Sequence, residues 1–120
     1  MARELVVKVT CGTDAPERAN QGFTVAATAA ASGVPVSLWL TGEAAWLATP
    51  GRAEELTLPL ATPLPDLLAS ILELGSVTVC SQCAARRELS QADLLPGVRI
   101  AGAPAFVEEA LRDGAQALVY

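Results

Sequence analysis

Histidine is absent from this chain of 120 residues. That absence removes serine–histidine and cysteine–histidine nucleophilic pairs, histidine metal ligands and a histidine general base. Basic residues are scarce as well: eight Lys and Arg stand against thirteen Asp and Glu, for a net charge of −5 and a pI near 4.6. Binding to a phosphate backbone relies on clustered Lys and Arg, so nucleic acid is not an expected partner. No apolar run approaches the ~20 residues of a membrane span, and no membrane association is expected. The segment Leu5–Val9 is too short and too soon broken by charge for a secretory leader, so a reducing, cytoplasmic setting is expected. Three cysteines do not build a disulfide framework in a chain of this size. Neither GxGxxG nor a Walker sequence occurs, and no cofactor is expected. With aromatics at 4%, Trp39 and Trp46 read as core or interface anchors. What remains for chemistry is thiols, carboxylates, arginines and backbone amides.

What is present is an alternation of strand and helix signals over residues 1–120, with no linker or repeat, which reads as one domain. Leu5–Thr10 is a Val-rich run expected as a strand buried on both faces. Asp14 and Glu17 around Pro16 predict a capping box, and Ala19, Phe23, Ala26, Ala27 and Ala30 continue at helical spacing to Gly33 and Pro35. Val34–Leu40 predicts a second strand, followed by a short helical piece over residues 43–48. Residues 49–65 hold five of the prolines and glycines and no sustained period, which reads as a lid, an oligomer contact or a mobile loop. A helix then runs to Gly75 with Leu67, Leu68, Ile71, Leu72 and Leu74 expected inside. Ser76–Val79 is the third strand and Val98–Ala101 the fourth. Between them lie a short helix and a Ser90–Asp93 capping box. A last helix is expected to face inward with Phe106, Val107, Ala110 and Leu111, and Ala115–Tyr120 makes the fifth strand. The pairs Glu54-Glu55 and Glu108-Glu109 read as solvated faces. The predicted fold is α/β: three layers, a mostly parallel five-stranded sheet with helices on both faces, flavodoxin-like in plan.

Sites in such sheets lie beyond the carboxyl ends of strands, where strand order reverses. Cys11 ends the first strand and Cys80 the third. With a flavodoxin-like order, 2-1-3-4-5, these two thiols would face one crevice. The most specific local signal is Cys80-Ser81-Gln82-Cys83 where a strand hands over to a helix, since unpaired amides at a helix start favour a thiolate. Two readings of Cys80 compete: a reactive thiol with Cys83 as resolving partner, or a small buried residue at a strand end. For Cys11, an anion-binding loop with Gly12 and Thr13 competes with the same buried reading. Two cysteines supply half a tetrahedral zinc site, and no second pair completes it.

The strand Leu5-Val6-Val7-Lys8-Val9, the Ala-rich first helix and above all Val77-Thr78-Val79-Cys80 with Ala84-Ala85-Arg86-Arg87 resemble the DsrE/DsrF-like (YchN-like) family. In its sulfur-relay members a cysteine ends the third strand and an Arg-Arg-Gly segment follows six residues later. Cys80 and Arg86-Arg87 match that spacing, while Glu88 replaces the glycine and Cys83 is an additional thiol. The resemblance implies that Cys80 accepts a persulfide sulfur and passes it on, with Cys80 and Cys83 catalytic and Cys11, Ser81, Arg86 and Arg87 on the substrate. It implies sulfur donor and acceptor proteins and a homo-oligomer, trimer or hexamer. Two other classes compete: a thiol-disulfide or peroxide-handling protein using the CxxC, and a non-enzymatic oligomeric binding subunit.

Overall fold

Alternation along each strand decides the layers. The computed structural model describes residues 3–120; Met1 and Ala2, which open the segment expected to lack a leader, lie outside them. The strands are β1 (Glu4–Val9), β2 (Val36–Leu40), β3 (Ser76–Cys80), β4 (Val98–Ala101) and β5 (Ala115–Val119). The helices are α1 (Pro16–Ala31), α2 (Leu64–Leu74), α3 (Ser81–Arg86) and α4 (Ala103–Ala110). Short stretches of 3-10 helix cover Gly42–Ala48, Ala53–Glu55 and Gln91–Asp93. All pairings are parallel, and the order is β4-β3-β2-β1-β5. This corrects the flavodoxin-like order: β1 and β3 are not neighbours, because β2 lies between them. The chain steps one way from β1 to β4, so right-handed crossovers put α1, α2 and α3 on one face. It then steps back across the whole sheet to β5, which puts α4 on the other.

The first face is the apolar one. Val7, Val9, Leu38, Leu40, Val77, Val79 and Val98 meet Ala19, Phe23, Ala26, Leu67, Leu68, Ile71 and Ala84 in a single core. The alanines of α1 let its axis approach the sheet closely. At Gly22 an added Cβ would stand 2.5 Å from Val9 Cγ2 and 3.2 Å from the Tyr120 ring. Gly22→Ala is therefore expected to lower stability by about 1–3 kcal/mol, the usual range for overpacking a filled core. A urea midpoint unchanged from wild type would show that the helix can move aside.

The second face is polar and only partly covered. It carries Lys8, Ser37, Trp39, Thr78 and Arg99, and the eight residues of α4 lie across it. Here the structure overturns two expectations. Glu109, expected in solvent, is buried, and it accepts hydrogen bonds from Ser37 Oγ (2.5 Å), Trp39 Nε1 (3.1 Å) and Arg99 Nη2 (2.5 Å). Val107 and Leu111, expected inside, are exposed, because the side of α4 turned to the sheet meets a polar row. Phe106 joins the contact edge-on to Trp39, with ring centroids 5.5 Å apart.

Smaller differences are local. The Asp14 capping box does not form: α1 starts after Ala15, and Asp14 Oδ1 accepts the Gly12 N–H at 2.8 Å, turned back into the loop. The Ser90–Asp93 box does form, on a 3-10 turn. Leu74 is exposed at the end of α2. The Pro-rich connection packs by Leu56 and Leu64, while Leu60 stands fully exposed in left-handed backbone (φ 63°).

Candidate functional site

Cys80 sits where the crossovers part. It pairs with Ala101 at the carboxyl ends of β3 and β4. From β3 the chain turns into α3 on the apolar face; from β4 it turns into α4 on the polar face. A crevice therefore opens between these two strand ends, the place where ligands bind in open parallel sheets. Its rim is Ser81 against Gly102: a Cβ on Gly102 would come 3.1 Å from Ser81 Oγ, so glycine leaves room for the hydroxyl.

Cys80 is half-buried and occupies the cap position of α3. Burial pushes its thiol up. The backbone N–H groups of Cys83 and Gln82, the Cys83 side chain and the Lys8 ammonium together outweigh that, leaving Cys80 below the ordinary cysteine range. Cys83, one turn into α3, is buried; its sulfur accepts the Gly42 N–H at 3.2 Å, and its thiol is turned toward Cys80. The CxxC thus brings together one accessible thiolate-prone sulfur and one buried thiol.

The other sequence-predicted residues are placed apart. Cys11 follows β1, two strands away from β3, and its side chain is buried in the apolar core. Burial raises its thiol, with Arg18 lowering and Asp14 raising it further. The single crevice expected for Cys11 and Cys80 is not formed, because β2 lies between the strands they follow and end. Arg87 is engaged: its guanidinium donates to Glu43 Oε2 at 2.8 and 3.2 Å and to the Cys83 carbonyl at 3.1 Å, strapping α3 to the turn after β2. Arg86 is exposed at the last turn of α3. Glu88, where sulfur-relay members carry glycine, adopts left-handed backbone with φ 55°. That conformation favours glycine, which is a physical reason for the family's residue there.

Lys8 is the residue that sequence reasoning missed. The signal was a lone charge in the Val-rich first strand, which is out of place in a strand buried on both faces. Among the described residues no three His, Cys, Asp or Glu side chains converge as metal ligands, and no helix is long and apolar enough to cross a membrane. A polar cavity of about 380 Å³ lies at the other, amino-terminal ends of the strands. Its charges pair with each other, Arg112 with Glu4 at 3.1 Å and Arg99 with Glu109.

Comparison with known proteins gives a consistent result. The DsrE/DsrF-like family matches residues 4–120. The chain is 32% identical over 105 residues to Uncharacterized protein MJ0760 of Methanocaldococcus jannaschii, covering 87% of this chain and 38% of that protein. The chain thus spans well under half the length of that relative. Among solved structures, the ychN protein from E. coli superposes with a TM-score of 0.80 at 17% identity, covering 100% of both chains. The protein MTH1491 from Methanobacterium thermoautotrophicum superposes with a TM-score of 0.73 at 9% identity, covering 98% of this chain and 99% of that one. At these identities the two structures speak for the fold alone.

Proposed function

The chain belongs to the DsrE/DsrF-like family, and on that premise we propose that it is a cytoplasmic carrier of persulfide sulfur, with Cys80 as the loading site. The carrying observation is the placement of a half-exposed thiol, held below the ordinary range by backbone amides, at the β3/β4 crevice. The Cys80 thiolate attacks the outer sulfur of a donor persulfide. The donor's S–S bond breaks, its electron pair leaves as the donor thiolate, and Cys80–S–SH remains, with no net oxidation. An acceptor thiolate repeats the step and returns Cys80 as thiolate. Cys83 supplies a second exit: its thiolate attacks the inner sulfur, forms the Cys80–Cys83 disulfide and releases hydrosulfide, and an external dithiol then reduces the disulfide. Ser81 stands on the rim of the crevice, Arg86, exposed at the last turn of α3, is left to meet an approaching partner, and Arg87 acts by holding α3. Cys11 has no direct part in this scheme.

Assembly is part of the same reading. The exposed Val107 of α4, Leu111 just after it and Val119 of β5 add apolar surface on the polar side of the sheet, and Leu60 is the exposed tip of the Pro-rich connection. These are the surfaces a homo-oligomer, trimer or hexamer, would cover.

Intact-protein mass spectrometry after incubation with a sulfane-sulfur donor tests the assignment. Wild type is expected to gain one sulfur atom, Cys80→Ser to gain none, and Cys83→Ser to hold the sulfur longer. Loss of two hydrogens without added sulfur replaces the carrier reading with a thiol-disulfide one. Loading of Cys80→Ser at the wild-type rate removes Cys80 from the function.

A further inference from the structure

Lys8 is half-buried, and among the described residues it forms no ion pair. The buried carboxylate and the guanidinium on the polar face are engaged with each other. Arg99 donates to Glu109 and to Thr78 Oγ1 (2.6 Å), and Glu109 accepts from three donors. The register places Lys8 beside Trp39 and Trp39 beside Thr78, with Cys80 two residues beyond Thr78 on the same face. From β1 to β3 is two strand spacings, about 10 Å. The ammonium is drawn across that gap: Nζ lies 4.8 Å over the Phe106 ring, which itself stands edge-on to Trp39 of β2. The cation–π contact thus holds a positive charge, with no carboxylate to neutralise it, on the Cys80 side of β1.

We propose that Lys8 is the charge partner of the Cys80 sulfur and selects reactants that carry negative charge beside their transferable sulfur. The substrate class is a small anionic sulfane donor, such as an inorganic polysulfide, in preference to a neutral alkyl trisulfide. With a polysulfide dianion the Cys80 thiolate takes the terminal sulfur, one S–S bond breaks, and the shortened polysulfide leaves with the electron pair. The product, an anionic persulfide on Cys80, keeps its charge within reach of the ammonium. The identity of the donor rests on the carrier reading; the charge selectivity does not.

The test therefore avoids sulfur chemistry. Cys80 of the full chain is alkylated with iodoacetate and with iodoacetamide at one pH, and the ratio of the two rates is compared among wild type, Lys8→Met and Lys8→Arg. The ratio is expected to fall about three- to tenfold in Lys8→Met, as for one partly screened charge at close range. It should recover in Lys8→Arg, and in wild type it should fall with added salt. An unchanged ratio in Lys8→Met overturns the proposal, and so does a loss that Lys8→Arg fails to restore, which assigns Lys8 to packing. If Lys8→Met does not fold, the wild-type salt series decides: a ratio indifferent to ionic strength overturns it. Failure of sulfur loading with the charge selectivity intact would count against the carrier reading alone.

Discussion

Cys80 is expected to react with iodoacetamide at least about tenfold faster than Cys11 or Cys83 at neutral pH, because the thiolate is the nucleophile, Cys80 and Cys11 are shifted in opposite directions, and Cys83 is buried. Cys80 is half-exposed and held below the ordinary thiol range by the Cys83 and Gln82 amides against the opposing effect of burial. Cys11 is buried and pushed the other way. Cys83 is buried with its sulfur already accepting the Gly42 amide. The sign of the pH dependence follows. The Cys80 rate stays on a plateau through the range where a free thiol would already be losing thiolate, and it falls only as the pH drops through the lowered value. The Cys11 rate is still rising where a free thiol would have levelled off. Peptide-resolved labelling across a pH series measures both curves. Equal rates and coincident profiles for Cys80 and Cys11 would leave Cys80 as a small residue at a strand end.

The second large effect concerns stability. Glu109→Gln is expected to destabilise the fold by about 1.5–3 kcal/mol, the range for hydrogen bonds to a charged group. Three donors converge on this carboxylate, and they tie α4 to β2 and β4. The half-exposure of Arg99 keeps the effect toward the lower end. Burial raises the carboxyl, but Ser37, Trp39 and Arg99 outweigh it, so its folded value lies below the ordinary one. A depressed carboxylate contributes stability that is fully present above the unfolded value, about 4.3, and is lost as the pH falls through the folded value. Wild type and Glu109→Gln should therefore differ most near neutrality and converge in acid. Urea midpoints measured from pH 7 downward check this. A constant difference across the series would mean that the variant acts by shape, not by charge.

Much of this molecule was legible from local pattern. The Val-rich runs, the Gly33, Gly75 and Gly97 boundaries and the Ser90–Asp93 box mark elements that the fold contains, because helix and strand periods and turn chemistry act over a few residues. The placement of Cys80 at a strand-to-helix junction was equally local. The errors have a different origin. Val107 and Leu111 read as core because apolar residues at helical spacing ordinarily face the sheet, yet the row that α4 meets is Lys8, Trp39, Thr78 and Arg99, contributed by four strands far apart in sequence. Glu109 read as solvated because its three donors come from β2 and β4, 10 to 72 residues away.

Contacts within a single element or its immediate connection suffice for the order of the elements, the parallel α/β plan and the placement of one thiol at the end of the third strand. The separation of Cys11 from Cys80 by β2, the crevice between β3 and β4 and the shared strand face of Lys8 and Thr78 emerge only in the assembled fold. Those outcomes are set by which strands become neighbours and which sheet face each crossover covers. They depend on burial across the whole chain, which no window of adjacent residues records.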